Sequence, residues 1–130
     1  MKLFKAILNS IPEGMNNYHS QTKPFIAKCF EANTCHISKK DDELILATSH
    51  AFKEGDVACT DLIVYEYEEG CFIFAAIEDD VVEDFYTTLE GQGLSHEFIA
   101  LLRLAKQFGC KYLQLDRDGE IYDNLPTFKW

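Results

Sequence analysis

The sequence predicts an α+β fold, a single domain over residues 1–130 with an antiparallel or mixed sheet and helices packed mainly on one face. Two observations support this prediction. Residues 61–77 hold two short apolar runs separated by Glu-Glu-Gly at 68–70, which is typical of a β-hairpin whose glycine takes a positive φ. Residues 95–108 place apolar side chains along one helical face. Because both faces of the hairpin are partly apolar, we expect it to be central in the sheet.

The other elements follow from apolar runs and turn residues. In chain order we expect a short helix or edge strand over 2–9, a loop or poorly anchored helix over 12–23, a strand over 24–30, a helix over 38–50, a loop over 53–60, a helix over 80–89, a strand over 110–115, a turn over 116–119 and an extended return over 120–125.

Capping residues set the predicted helix boundaries. Residues 38–41 and 80–83 fit the capping-box pattern, as S-x-x-D and D-x-x-E. Ser95 is a favoured N-cap for the third helix, and Gly109 is placed to end it in the left-handed conformation.

Negative charge is concentrated in the middle of the chain, whose formal net charge is −10. Thirteen acids and no Lys or Arg lie between Glu54 and Leu102. We expect this section to engage a basic or DNA-binding protein, as an inhibitor or a mimic of DNA, and not to bind nucleic acid directly. The alternative is a face that only keeps the protein soluble. The candidate partner-binding residues are Glu66, Glu68, Glu69, Glu78, Asp79, Asp80, Glu83 and Asp84.

A second candidate site lies near the C-terminus. The glycine of Asp116-Arg117-Asp118-Gly119 falls at the wrong place for a calcium loop, so a turn with a left-handed Gly119 is favoured. The alternative is a cleft that binds a divalent metal or a small molecule, or that belongs to a small enzyme. Its residues would be Asp116, Asp118, Asp123 and His36. No side chain fits a catalytic signature, and no cofactor is predicted.

The aromatic residues fit two roles, packing in the core and binding at an interface. Trp130 fits either a core position or an interface anchor, and an anchor would make the chain a homodimer or a larger structural homo-oligomer. The rings of the predicted strands are expected to pack inside the sheet, at Tyr65, Tyr67, Phe72, Phe74 and Tyr112.

Cysteine usage and apolar run lengths indicate the compartment. Five cysteines without a C-x-x-C pair favour free, mostly buried thiols in a reducing environment. No apolar run approaches the roughly 20 residues that span a bilayer. The N-terminal residues show no clear signal cleavage site. We therefore expect a cytoplasmic protein that makes no membrane contact.

The C-terminal sequence carries a family resemblance. Residues 109–119 read G-C-x-x-L-x-x-D-R-D-G, and residues 123–130 read D-x-L-P-x-x-x-W. This tail, with similar segments at 34–37 and 64–67, resembles an uncharacterised family of small acidic bacterial proteins carried on plasmids, integrative elements and other mobile DNA. The resemblance spans about residues 33–130. It implies an accessory role on a mobile element and supplies no catalytic residue.

Overall fold

The computed structural model describes residues 24–130, which form a four-stranded sheet with three α-helices. The elements predicted over 2–9 and 12–23 lie outside the described residues. The strands are β1 (Cys29–Asn33), β2 (Val64–Tyr67), β3 (Gly70–Phe74) and β4 (Tyr112–Asp116), and the helices are α1 (Lys39–Glu54), α2 (Val82–Gly91) and α3 (His96–Gln107). A single 3₁₀ turn, Thr34–His36, connects β1 to the start of α1.

The sheet is mixed and has the order β1-β4-β3-β2. β4 pairs in parallel with β1 and antiparallel with β3, while β2 and β3 form the predicted antiparallel hairpin. The α+β class and the mixed sheet are confirmed. The hairpin is central only through β3, because β2 is an edge strand and the C-terminal strand β4 inserts on the other side of β3.

The helices cover one face of this sheet. α3 contacts β1 and β4, and α1 contacts β2. The strand residues on this side are buried, at Ala32, Val64, Cys71, Ile73, Leu113 and Leu115. They meet the buried stripe of α3, at Phe98, Leu101, Leu102 and Ala105, which confirms the predicted core-facing helix. Burying such side chains contributes roughly 1.5–3 kcal/mol each and holds the layer in place.

Two of the three predicted helix starts are confirmed. The Ser38 hydroxyl accepts from Asp41 N, and the Asp41 carboxylate accepts from Ser38 N, which completes the capping box of α1. Ser95 Oγ accepts from Phe98 N at 3.2 Å. The capping box at Asp80 is wrong, since Val81 is the N-cap of α2 and makes no side-chain bond.

The predicted C-terminal end of α3 is confirmed, and α1 ends later in the chain than predicted. Gly109, at φ 72°, follows α3 as predicted. α1 extends past His50 to Glu54, where Gly55 at φ 75° ends it.

Two glycines have roles other than the predicted one, since neither takes a positive φ. A Cβ on Gly70 would overlap the carbonyl oxygen of Leu115, so this residue is glycine because β3 and β4 approach closely there. A Cβ on Gly119 would lie 3.0 Å from the carbonyl oxygen of Ala32 on β1. The predicted turn at 116–119 is present, closed by Gly119 N donating to Asp116 O at 3.0 Å.

All five cysteines lie within the described residues and are free. Only Cys71 and Cys110 are buried, so the prediction of mostly buried thiols is wrong. Between residues 24 and 130, no helix combines the length and the apolar character needed to cross a membrane.

Candidate functional site

Three of the eight candidate partner-binding carboxylates have cationic neighbours. Glu66 lies 3.3 Å from Lys53 Nζ and accepts from Ser49 Oγ at 3.0 Å. Burial acts to raise the pKa of Glu66, but the bonds from Ser49 and Lys53 outweigh it and lower that pKa. These contacts tie the edge strand β2 to α1.

The other two paired carboxylates lie at α2. Both carboxylate oxygens of Glu83 accept from Arg103 Nη1, at 2.8 and 2.7 Å. Asp79 lies 2.7 Å from Lys106 Nζ. The hydrogen bond from Lys106 lowers the pKa of Asp79. The bases that offset the acidic section therefore come from just outside it, at Lys53, Arg103 and Lys106.

Five candidate carboxylates have no salt-bridge partner within residues 24–130. They fall into two groups, Glu68 and Glu69 in the β2–β3 turn, and Glu78, Asp80 and Asp84 between the end of β3 and the first turn of α2. We call these five residues the unpaired acids. They lie beyond opposite ends of β3.

Between the two groups, the second face of the sheet carries aromatic side chains. Strand alternation and the pairing register place Tyr65, Tyr67, Phe72, Phe74 and Tyr112 on the side away from the helices. We call this the open face. The ring of Tyr112 is central, with centroids 6.1 Å from Phe72, 6.1 Å from Phe74 and 6.3 Å from Tyr65, all edge-on.

The prediction that these rings pack inside the sheet is corrected, because no described element covers the open face. Tyr65 is 55 % exposed, and the other four rings are half-buried against each other. Tyr65, Phe72 and Tyr112 line a shallow depression of about 350 Å³ together with Ala27 and Cys29 of the β1 side. Aromatic packing within one layer leaves the ring faces and edges available to a ligand.

One end of the open face is polar. Tyr67 Oη donates to Asp116 Oδ2 at 2.5 Å and accepts from Gln114 Nε2 at 2.9 Å. Burial, followed by the bond to Asp116, raises the pKa of Tyr67 to about 12, and the same bond lowers the pKa of Asp116. Asp116 is thus a fixed carboxylate at the edge of an aromatic surface.

Of the remaining residues of the second candidate site, Asp118 contacts the Asp116 carboxylate through its backbone, with Asp118 N donating to Asp116 Oδ1 at 2.7 Å. His36 is buried, with Nδ1 2.8 Å from Pro126 O and Nε2 accepting from Tyr122 N at 2.9 Å. It therefore anchors the C-terminal tail. Asp118 and Asp123 are exposed in turns. Over residues 24–130, no group of three or more His, Cys, Asp or Glu side chains is arranged to hold a metal ion.

The side chain of Trp130 is hydrogen-bonded to the domain, but about half of the residue is exposed to solvent. Its indole Nε1 donates to Ile37 O at 3.0 Å, while 54 % of the residue remains exposed. It lies at a groove of about 380 Å³ that also includes Glu68, Glu69 and Arg117. The interface role of Trp130 therefore stays a prediction.

The sequence predicted helices mainly on one face of the sheet, but not that five aromatic side chains would lie together on the other face. The signal for this arrangement was the spacing of two residues within each hairpin strand, Tyr65 with Tyr67 and Phe72 with Phe74, which places each pair on one face. The position of Tyr112 beside them had no local signal, because it depends on β4 pairing with β3 across 38 or more residues.

Fold and site together define a small α+β domain with an aromatic sheet face between two groups of carboxylates. Residues 29–130, beginning at the first residue of β1, match the C-terminal domain of DUF5983, a family of unknown function. The chain therefore belongs to this uncharacterised family. Neither the curated proteins nor the solved structures gave a match.

Proposed function

We propose that the chain is a non-enzymatic binding protein that engages a basic protein partner through the open face and the unpaired acids. The observation that carries this proposal is their arrangement. Rings on one sheet face are flanked at both ends of β3 by carboxylates without a salt-bridge partner among the described residues.

Lys and Arg side chains fit both parts of this surface. A guanidinium or ammonium group is attracted to the face of a tyrosine ring within about 6 Å, and it pairs with a carboxylate at the rim. The surface already shows the first contact, since Lys111 Nζ lies 5.5 Å from the ring centre of Tyr112. The unpaired acids would also speed the encounter with a positively charged partner at low salt.

Beyond Phe74 the surface continues into a wider depression. Its volume is about 590 Å³. Its lining combines apolar side chains, such as Phe74 and Ala76, with two carboxylates and three lysines, at Glu78, Asp79, Lys28, Lys106 and Lys111. Because the lysines of this depression outnumber its carboxylates, the proposal rests on the open face and the unpaired acids and not on this depression.

A DNA-binding protein is the partner class that we favour. Such proteins present clustered Lys and Arg side chains to phosphate groups, and carboxylates can occupy the same side chains. With the resemblance to proteins of mobile DNA, this suggests a cytoplasmic accessory protein that inhibits a nucleic-acid-binding protein of its host. The metal-binding or enzymatic alternative gains no support from the contacts of His36 and Asp116.

The electrostatic part of the proposal is tested by capture from a bacterial lysate with three baits. These are the wild type, a variant of the unpaired acids (E68Q, E69Q, E78Q, D80N, D84N), and a control of equal charge change at other exposed acids (E43Q, E54Q, D56N, E97Q, E120Q). We expect the wild type and the control to retain the same basic protein at about 50 mM salt. The variant of the unpaired acids is expected to retain about ten times less of it. Equal loss in both variants, or capture that is unchanged at about 500 mM salt, would contradict the proposal.

A further inference from the structure

The outer edge of β2 carries backbone groups that are available for pairing. β2 is an edge strand of the sheet. Phe74 N donates to Ile63 O at 3.0 Å, and from this bond the antiparallel ladder alternates, so Tyr65 bonds to β3. The N–H and C=O groups of Val64 and Glu66 therefore point away from β3. No described residue forms a backbone hydrogen bond with these outward groups. Such an edge is a template for another strand.

A small apolar pocket lies against the same edge. Its volume is about 100 Å³, and its lining includes Thr48 and Phe52 of α1 and all four residues 62–65. Successive residues of an extended chain point to opposite faces of a sheet, so a pocket that touches all four of them lies at the outer edge of β2. It is smaller than the pockets that hold whole ligands, and it has room for one apolar side chain.

The walls of this pocket are apolar side chains that no described element covers. Phe52 is 79 % exposed, Ile63 is 49 % exposed, and Tyr65 of the open face forms the rim. Large apolar side chains that are exposed together around one pocket are typical of a surface that a partner protein covers. The edge thus offers backbone groups and an apolar pocket side by side.

Charge selects the occupant of this edge. Glu66 is paired with Lys53 at 3.3 Å, while Glu68 and Glu69, in the turn that follows β2, make no salt bridge among the described residues. A second copy would bring the same carboxylates to the same edge, and the formal net charge of −10 on each chain makes two copies repel each other. A segment that carries Lys or Arg meets the opposite charge.

We propose that the basic partner adds an extended segment to the outer edge of β2, as a further strand in which apolar and basic side chains alternate. The two sets of side chains lie on opposite faces of such a strand. The apolar set enters the pocket beside Phe52, and the basic set lies next to the rings of Tyr65 and Tyr67, towards Glu68. This inference rests on the proposed function for the charge of the partner, and it names the way in which that partner binds.

The test adds the peptide acetyl-Lys-Val-Lys-Val-Lys-Val-Lys-amide to the full chain and follows the exchange of single amide hydrogens by NMR. We expect saturating peptide to slow exchange at Val64 and Glu66 by about tenfold or more, because both amides gain a partner. The opposite edge is the internal control. Asn33 N points away from β4, to Glu120 O, so the amides of Cys29 and Glu31 on β1 point outward as well and are expected to exchange as before.

Two single-residue variants test the pocket. Phe52→Ala removes its wall, and Phe108→Ala is the matched control, since Phe108 is also exposed on the helix side but stacks on Phe30 of β1 at the opposite edge. We expect Phe52→Ala to raise the Kd of the peptide about tenfold and Phe108→Ala to leave it unchanged. The peptide acetyl-Lys-Lys-Lys-Lys-Val-Val-Val-amide, of equal charge but without alternation, is expected to bind about tenfold more weakly.

Binding that leaves exchange at Val64 and Glu66 unchanged would overturn the inference. If Tyr65→Ala weakened that binding, the role of the open face in the proposed function would still stand. Absence of binding, or equal binding of the two peptides, would also overturn the inference, while capture from lysate tests the proposed function without any chosen peptide. Exchange at Val64 and Glu66 that slows as the concentration of the protein alone rises would show that a second copy pairs with the edge, which contradicts the inference.

Discussion

Gly70→Ala is expected to cost about 3 kcal/mol of the free energy of unfolding and to lower Tm by about 10 °C. Besides overlapping Leu115 O, the new Cβ would lie 2.9 Å from Leu115 C and from Asp116 Cα. All of these are backbone atoms of β4, so no side chain can rotate away, and β3 must separate from β4. Thermal and urea unfolding followed by circular dichroism measure the loss.

Gly91→Ala is the matched control for this substitution. Gly91 is the last residue of α2, has no positive φ, and has no atom within 4 Å of an added Cβ. We expect it to leave stability unchanged or to raise it by about 0.5 kcal/mol, since alanine favours helix more than glycine does. A Gly70→Ala protein that melts with the wild type would show that β3 and β4 are farther apart than described.

Asp41→Ala is expected to destabilise the domain by about 3 kcal/mol. This side chain is fully buried and accepts from Ser95 N at 2.9 Å, from Ser95 Oγ at 2.5 Å and from Ser38 N at 3.4 Å. It therefore joins the N-termini of α1 and α3, where the helix dipoles favour a negative charge. Its removal leaves the Ser95 amide without its partner in the interior.

The neighbouring Asp42→Ala serves as the control for Asp41→Ala. Burial, then the charges of Glu43 and Glu66, raise the pKa of Asp42, so folding does not favour its ionised form. We expect this variant to stay within about 0.5 kcal/mol of the wild type. Ser95→Ala with Asp41→Ala is expected to cost at least about 1 kcal/mol less than the two single losses added together, because both remove the hydrogen bond from Ser95 Oγ to Asp41 Oδ2. Strict additivity would mean that the carboxylate does not hold α3.

Sequence patterns correctly predicted the features that depend on contacts between residues close together in the chain. The capping box at Ser38 and the core-facing stripe of α3 depend on residues three or four positions apart, and both are present. Asp80 failed as an N-cap because the chain turns once more there, with Val81 N donating to Glu78 O at 3.1 Å before α2 begins.

The candidate site could not be predicted to the same extent, because it depends on contacts between distant residues. β4 lies between β1 and β3, and this brings Tyr112 against the rings of the hairpin. The second contact of Asp41, with Ser95, joins residues 54 positions apart and has no sequence signal. Charge composition likewise showed an excess of acids without showing that Glu66, Asp79 and Glu83 are paired.

Capture of a basic partner by two single-residue variants tests the role of the open face most directly. Tyr65, 55 % exposed, touches one ring of the open face, and Phe108, 59 % exposed, stacks at 6.0 Å on Phe30, whose side chain is on the helix side of the sheet. Tyr65→Ala and Phe108→Ala thus remove equivalent aromatic surface from opposite sides. We predict that Tyr65→Ala lowers retention of the basic partner about tenfold and that Phe108→Ala leaves it unchanged. Equal retention by Tyr65→Ala and the wild type would contradict a binding role for the open face.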